Sequence, residues 1–236
     1  MAATLDVVPP AERKSRKSAP VPSRTTELPG PHQRFFDLWS RVYDAPIVQR
    51  LTYRPVQDAV MRELRRSAPG RVLDIGCGTG LLTSRIRDEL APRSIFGCDF
   101  SRGMLRQAAV KNPDLSWVRG NALRLPFPDA SFGAIVSTEA FHWFPDQDVA
   151  LAEFFRVLEP KGQLLVALIN PTAEWLSRAA RLGSRLMGEP AKWPTRTQMR
   201  RKTEAAGLRI TAQRTVFRLP APVLLPCVLT VSTRPG

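Results

Sequence analysis

The residues best suited to chemistry in this chain are two acids and a run of alternating glycines. Residues 71 to 80 read Arg-Val-Leu-Asp-Ile-Gly-Cys-Gly-Thr-Gly, so Asp74 is followed by Gly76, Gly78 and Gly80 with Cys77 among them. Glycine lacks the β-carbon that would hold a backbone away from a ligand or out of positive φ, which makes this segment a cofactor-binding loop. The second acid, Asp99, followed by Phe100, closes the apolar run Ser94 to Cys98. A carboxylate there can accept hydrogen bonds from both hydroxyls of a ribose. The competing reading is that Asp99, with Ser101, only caps a helix starting near Arg102. The glycine loop about twenty residues earlier favours the ligand reading. Farther along, His142 stands in Phe141-His142-Trp143-Phe144. It is a candidate general base, or else a structural histidine bonded to backbone beside aromatic rings.

Positioning these groups requires a sheet with its loops gathered at one edge. Val72, Leu73 and Ile75 suit a buried parallel strand, and Leu82, Ile86 and Leu90 fall at helical spacing behind the glycine loop. The loop therefore delivers its ligand to a helix N-terminus, where unpaired N–H groups favour a carboxylate or phosphate. Strand and helix signals alternate from Arg71 to Asn170, the pattern of βαβ units in an α/β fold. The expected elements are strands 71–75, 94–98, 115–119, 132–137 and 163–169, with helices 81–91, 102–111 and 146–158. Beyond a basic insert come a helix at 197–206 and strands near 208–217 and 223–233, the last crowded by Pro220, Pro222 and Pro226. A dinucleotide fingerprint would place a third glycine at the helix start, where this chain has Leu81.

The glycine triplet preceded by Asp74 resembles motif I of the class I S-adenosylmethionine (SAM) dependent methyltransferases. Three further segments extend the resemblance in order. Gly120 to Phe127 resembles the family's adenine-side loop, Asp129 to Phe132 its approach to strand four, and Ala150 to Gly162 its A-L-x-E-x-x-R-V-L-x-P-x-G helix and turn. Glu139 to Trp143 resembles the exit from strand four, and Phe36-Asp37 with Tyr43-Asp44 resembles the F-D-x(5)-Y-D opening of ubiquinone/menaquinone-type small-molecule methyltransferases. The resemblance implies a Rossmann-like, seven-stranded, mostly parallel sheet flanked by helices, with the last strand antiparallel. It implies SAM as cofactor, held by Asp74, Gly76, Cys77, Gly78, Asp99, Phe100, Asn121, Ala122 and Tyr43. It also places His142 where the pocket opens toward the methyl group. Two positions depart from the pattern: Asn121 stands where the family has Asp, and Gly133 where an Asp follows the S-F pair. A neutral Asn oxygen can still accept from an adenine amino group, but more weakly than a carboxylate.

At 236 residues the chain suits one α/β domain. Its expected organisation is a disordered basic tail at 1–31 and a domain at 32–236, divided into a cap at 32–68, a core at 69–170, a lid at 171–196 and a C-terminal helix and strands. The tail carries Arg13, Lys14, Arg16 and Lys17, while Asp6, Glu12 and Pro9-Pro10 argue against a transit peptide. No signal-peptide core or long apolar run is present, so a cytoplasmic location is expected, with a peripheral membrane contact as an extension. Three cysteines without a C-x-x-C pair and two histidines give no metal-site pattern.

The net charge of +14 is concentrated late: residues 171–236 hold twelve Lys or Arg against three Glu. In the lid, Trp175, Ala179, Leu182 and Leu186 repeat at helical spacing, with Arg178, Arg181 and Arg185 on another face. A basic amphipathic helix at 173–187 follows. Its charge is open to three readings: a solvated face, an anionic membrane or acidic substrate, or a nucleic-acid track. The methyl acceptor implied is a small apolar or amphipathic molecule such as a quinone, lipid or natural product. An RNA methyltransferase and a noncatalytic SAM-fold partner protein are the alternatives.

Overall fold

The computed structural model describes residues 53–186, 191–216 and 226–236, with the side chain of Leu186 left out. The expected tail, the Phe36 to Asp44 segment with Tyr43, and Pro220 and Pro222 ahead of the last strand lie outside the described residues. The elements, in chain order, are α1 Arg54–Ser67, β1 Arg71–Ile75, α2 Leu81–Leu90, β2 Ser94–Asp99, α3 Arg102–Lys111, β3 Ser116–Arg119 and β4 Phe132–Thr138. A 3-10 turn at Phe141–Trp143 follows, then α4 Gln147–Val157, β5 Leu158–Ile169, α5 Glu174–Leu186, α6 Arg196–Ala205, β6 Arg209–Val216 and β7 Cys227–Thr233.

Seven strands form one sheet in the order β3-β2-β1-β4-β5-β7-β6. The first five pair in parallel, and β7 runs antiparallel between β5 and β6, as expected of the last strand. Strand β5 begins at Leu158, five residues ahead of the expected start, because Leu158 already pairs with Phe132 before a register shift resumes the ladder at Ala134 and Gln163. Lys161, at φ +65°, lies in the turn that the expected boundary treated as loop.

Period-two alternation sorts the strand residues to two faces. On one face Leu73, Ile75, Ile135, Leu164, Val166 and Leu168 pack with Leu151, Phe154 and Val157 of α4 and Met199 of α6. On the other, Val72, Ala134, Val136, Leu165 and Ala167 meet Val56, Val60 and Leu64 of α1 and Leu82 and Ile86 of α2. A sheet covered on both faces leaves only the strand ends for a ligand, and the parallel strands send their carboxyl ends to one edge. Among the described residues, no helix is long and apolar enough to cross a membrane.

Candidate functional site

The loop from β1 to α2 is tied to the end of β2 from both sides. Gly76 and Cys77 donate their N–H groups to the Cys98 carbonyl at 2.8 and 3.2 Å, and the Gly78 N–H donates to Asp99 Oδ2 at 2.8 Å. Gly76, Gly78 and Gly80 all adopt positive φ, at +69°, +56° and +80°. What lies beside them differs. A methyl on Gly76 would overlap the Ala140 side chain just past β4, and one on Gly80 would overlap the Trp117 ring of β3. At Gly78 the nearest atom to an added methyl is Met104 Sδ, 4.0 Å away. Thus two glycines serve close packing within the protein, and Gly78 alone borders open space.

Asp99 occupies the centre of this edge. Its Oδ2 receives Gly78 and its Oδ1 receives the Ser101 N–H at 2.8 Å. Helix α3 is capped by Ser101 itself, whose Oγ accepts from the Met104 N–H at 3.2 Å. Ser101 thus supplies the side-chain cap of α3, while the Asp99 carboxylate ties the glycine loop to the start of that helix. Beside it Phe100 is 56% exposed, unusual for a phenylalanine. The Arg119 guanidinium lies 5.7 Å from its ring centre.

Asp74 differs from Asp99 in being buried, with Oδ2 accepting from Thr83 Oγ1 at 2.7 Å. Burial raises its carboxyl to about 7, opposed by the Thr83 hydrogen bond and assisted by the negative charge of Asp99. Burial first, then the two nearby acids, also push the Cys77 thiol upward, so this cysteine is a packing residue rather than a nucleophile.

In the adenine-side loop, Asn121 also has a local structural role. Its Oδ1 accepts from the Leu123 N–H at 2.9 Å, so the side chain closes a turn on its own loop. The neighbouring Ala122 is buried. A clamp from α4 holds the rest of this loop. Glu153 Oε2 accepts from the Leu125 N–H at 2.7 Å, while Arg156 donates to the carbonyls of Leu125 and Phe127 at 3.1 and 2.8 Å and to Asp129 at 2.8 Å. The hydrogen bond from Arg156 keeps the Glu153 carboxyl below its ordinary range. The E-x-x-R spacing thus positions a loop more than twenty residues earlier.

His142 is 7% exposed and sits between two indoles: Trp193 stacks on it at 5.3 Å between ring centres, and Trp143 lies at 4.8 Å. Trp193 comes from the far end of the lid, a contact that sequence spacing did not indicate. Backbone bonds fasten that segment in place. The Lys192 N–H donates to the His142 carbonyl at 2.8 Å, Gln147 Nε2 bridges the carbonyls of Phe141 and Lys192, and Asn170 Nδ2 donates to the Pro194 carbonyl at 2.8 Å. Trp117 and Gly97 were likewise not singled out from the sequence. A methyl on Gly97 would overlap the Trp117 ring, so this strand-interior glycine was the available signal of a close approach.

The family model described as a methyltransferase domain matches residues 73–166. A demethylmenaquinone methyltransferase from Lactiplantibacillus plantarum is 34% identical over 160 residues, which cover 61% of this chain and 68% of that protein. A phthiotriol/phenolphthiotriol dimycocerosates methyltransferase from Mycobacterium ulcerans is 39% identical over 110 residues, 44% of this chain and 41% of that one. Among solved structures, a chain of the complex between the Haloferax volcanii Trm112 methyltransferase activator and a methyltransferase superposes with a TM-score of 0.68. It is 22% identical, and the match covers 85% of this chain and 98% of that one. The chain spans about half the length of several curated relatives that it matches.

Proposed function

The chain belongs to the methyltransferase domain family, and on that premise we propose that it transfers a methyl group from SAM to a small apolar or amphipathic acceptor, such as a quinone or a lipid. The observation that carries the cofactor assignment is Gly78. It holds positive φ, borders open space and is pinned by the carboxylate of Asp99, whereas the flanking glycines are accounted for by protein packing.

The groups around Gly78 fit a nucleoside with an amino-acid arm. The Asp99 carboxylate, which accepts from the Gly78 and Ser101 N–H groups, is the acceptor assigned to the ribose hydroxyls. The exposed Phe100 ring offers a face to a purine, and Asn121 and Ala122 border the same edge. Gly76 and Cys77 set the course of the loop, and Asp74 secures the start of α2 through Thr83. Tyr43 is proposed to cover the cofactor from the N-terminal cap.

When bound, SAM supplies a methyl group on a sulfonium, activated for in-line transfer. The chain needs to align the acceptor, exclude water and, for a hydroxyl or acidic carbon, remove a proton. His142 is the candidate proton acceptor, and Trp143 and Trp193 wall it from solvent. The relatives named above for menaquinone and mycocerosate chemistry support an apolar acceptor. Such acceptors reside in membranes, so the peripheral contact expected of residues 173–187 belongs to the same reading.

Incubation with methyl-labelled SAM and separated lipid, aqueous small-molecule and RNA fractions tests the proposal. Label in the organic-soluble fraction is expected. Label confined to RNA overturns the acceptor class, and absence of SAM binding by calorimetry overturns the cofactor assignment.

A further inference from the structure

An amphipathic helix normally turns its apolar stripe toward the protein, and α5 does the opposite. It is fastened through Ser177, whose hydroxyl donates to the Trp193 carbonyl, and through Ser184, whose Oγ accepts from the Ala191 N–H at 3.0 Å. These serines are seven residues apart, two turns along one line of the helix. At about 100° per residue, Trp175, Ala179 and Leu182 project from the opposite side. Their exposure agrees with that geometry: Trp175 is 64% and Leu182 61% exposed, and Ala179 is exposed as well. Arg178, Arg181 and Arg185 are exposed along one margin of the stripe. The one acid on the helix, Glu174, lies 3.8 Å from Arg178, in an exposed pair of little energetic weight.

We propose that α5 is an interfacial helix that docks the protein on an anionic lipid bilayer, lying in the membrane plane with Trp175, Ala179 and Leu182 among the acyl chains and the three arginines at the phosphates. Charge selects this partner: three cations flank the stripe, and the chain as a whole is strongly positive. Arginine stems can lie along the apolar surface while their heads reach the headgroups, and an indole suits the boundary between the two. An apolar stripe with a cationic margin is the composition of helices that rest in the headgroup region rather than span the membrane. Placement adds a functional consequence. The buried face of α5 rests on residues 191–195, the segment that also bonds to His142 and Gln147. The docking face therefore lies one helix thickness from the wall of the proposed acceptor site, so an apolar acceptor could pass from the bilayer without crossing bulk water. This last step rests on the acceptor class proposed above; the docking itself rests on α5 alone.

The test is co-sedimentation of the full chain with phosphatidylcholine vesicles, with and without phosphatidylglycerol, in the absence of SAM and acceptor. Wild type should bind the anionic vesicles and scarcely bind the zwitterionic ones. Replacing Arg178, Arg181 and Arg185 with Gln should weaken anionic binding at low salt by about a hundredfold, roughly fivefold per cation. Trp175→Ser with Leu182→Ser should weaken it at least about tenfold, and should do so at high salt as well, where charge is screened. Parallel calorimetry with SAM should be unchanged in both variants. Equal vesicle binding by wild type and either variant overturns the proposal, as does an association of wild type in solution that the serine variant abolishes, which would assign the stripe to a second copy. Vesicle binding without SAM affinity would leave the docking intact and remove the methyl-transfer reading instead.

Discussion

Asp74→Asn should make the protein more stable at pH 8 than at pH 5 relative to wild type. In the folded chain the Asp74 carboxyl is raised from 3.8 to about 7, chiefly by burial. Between those values the folded state holds a proton that the unfolded state has released, so this group's contribution to stability is full below about pH 4, declines as pH rises, and is gone above about 7. A shift of three units at about 1.4 kcal/mol each corresponds to a penalty on the order of 4 kcal/mol above neutrality, an upper figure because water and local relaxation reduce it. Asparagine carries no charge and its Oδ1 can keep the Thr83 hydroxyl as donor. The variant should therefore match wild type only at and below about pH 4, gain on it as pH rises, and exceed it by about 2 to 4 kcal/mol at pH 8, or about 5 to 15 °C in Tm for a chain of this size. Thermal or urea denaturation across pH 4.5 to 8.5 measures this. Thr83→Val supplies an internal check, since removing the hydrogen bond that lowers the Asp74 carboxyl should carry the wild-type decline to higher pH. A stability difference between Asp74→Asn and wild type that stays constant across pH would refute the reasoning.

Gly78→Ala should lose most SAM affinity in a calorimetric titration at a stability cost of only about 1 to 2 kcal/mol for its positive φ. Gly80→Ala should instead cost several kcal/mol in urea unfolding, because the buried Trp117 ring must also move. Comparable SAM affinity in wild type and Gly78→Ala would remove the cofactor assignment. Arg156→Gln leaves the Leu125 and Phe127 carbonyls without their donor, and should lower stability by about 2 kcal/mol and weaken SAM binding through a looser Asn121 to Asp129 loop. It should also flatten the acid limb of the stability curve, since the Arg156-bonded Glu153 contributes stability above the ordinary carboxylate range that is lost as pH falls through its lowered value.

Much of the framework is legible in residue order because it depends on local pattern. Near-continuous apolar runs in Val72 to Ile75 and Leu164 to Leu168 identify strands covered on both faces, and helical spacing in Leu82, Ile86 and Leu90 identifies α2. The glycine loop and Asp99 are likewise short-range signals, since each must end a strand at the ligand edge. The division of labour within them is a property of the tertiary structure. Three similar glycines become two packing positions and one open one only after β3 brings Trp117, and the exit of β4 brings Ala140, against the loop.

The same limit explains the remaining departures. At Asn121 the side-chain oxygen accepts from a backbone N–H two residues away once the turn forms, a local role that residue type alone does not show. Glu153 and Arg156 are visible as a motif, yet their target lies across the sheet edge, and Trp193 reaches His142 only because Asn170 and Gln147 fasten the lid. In α5 the periodicity alone determined that one face is apolar and a margin cationic. Which face meets the protein was decided by two serine hydrogen bonds to residues 191–193, because the direction of a helix face is set by what the rest of the chain places beneath it.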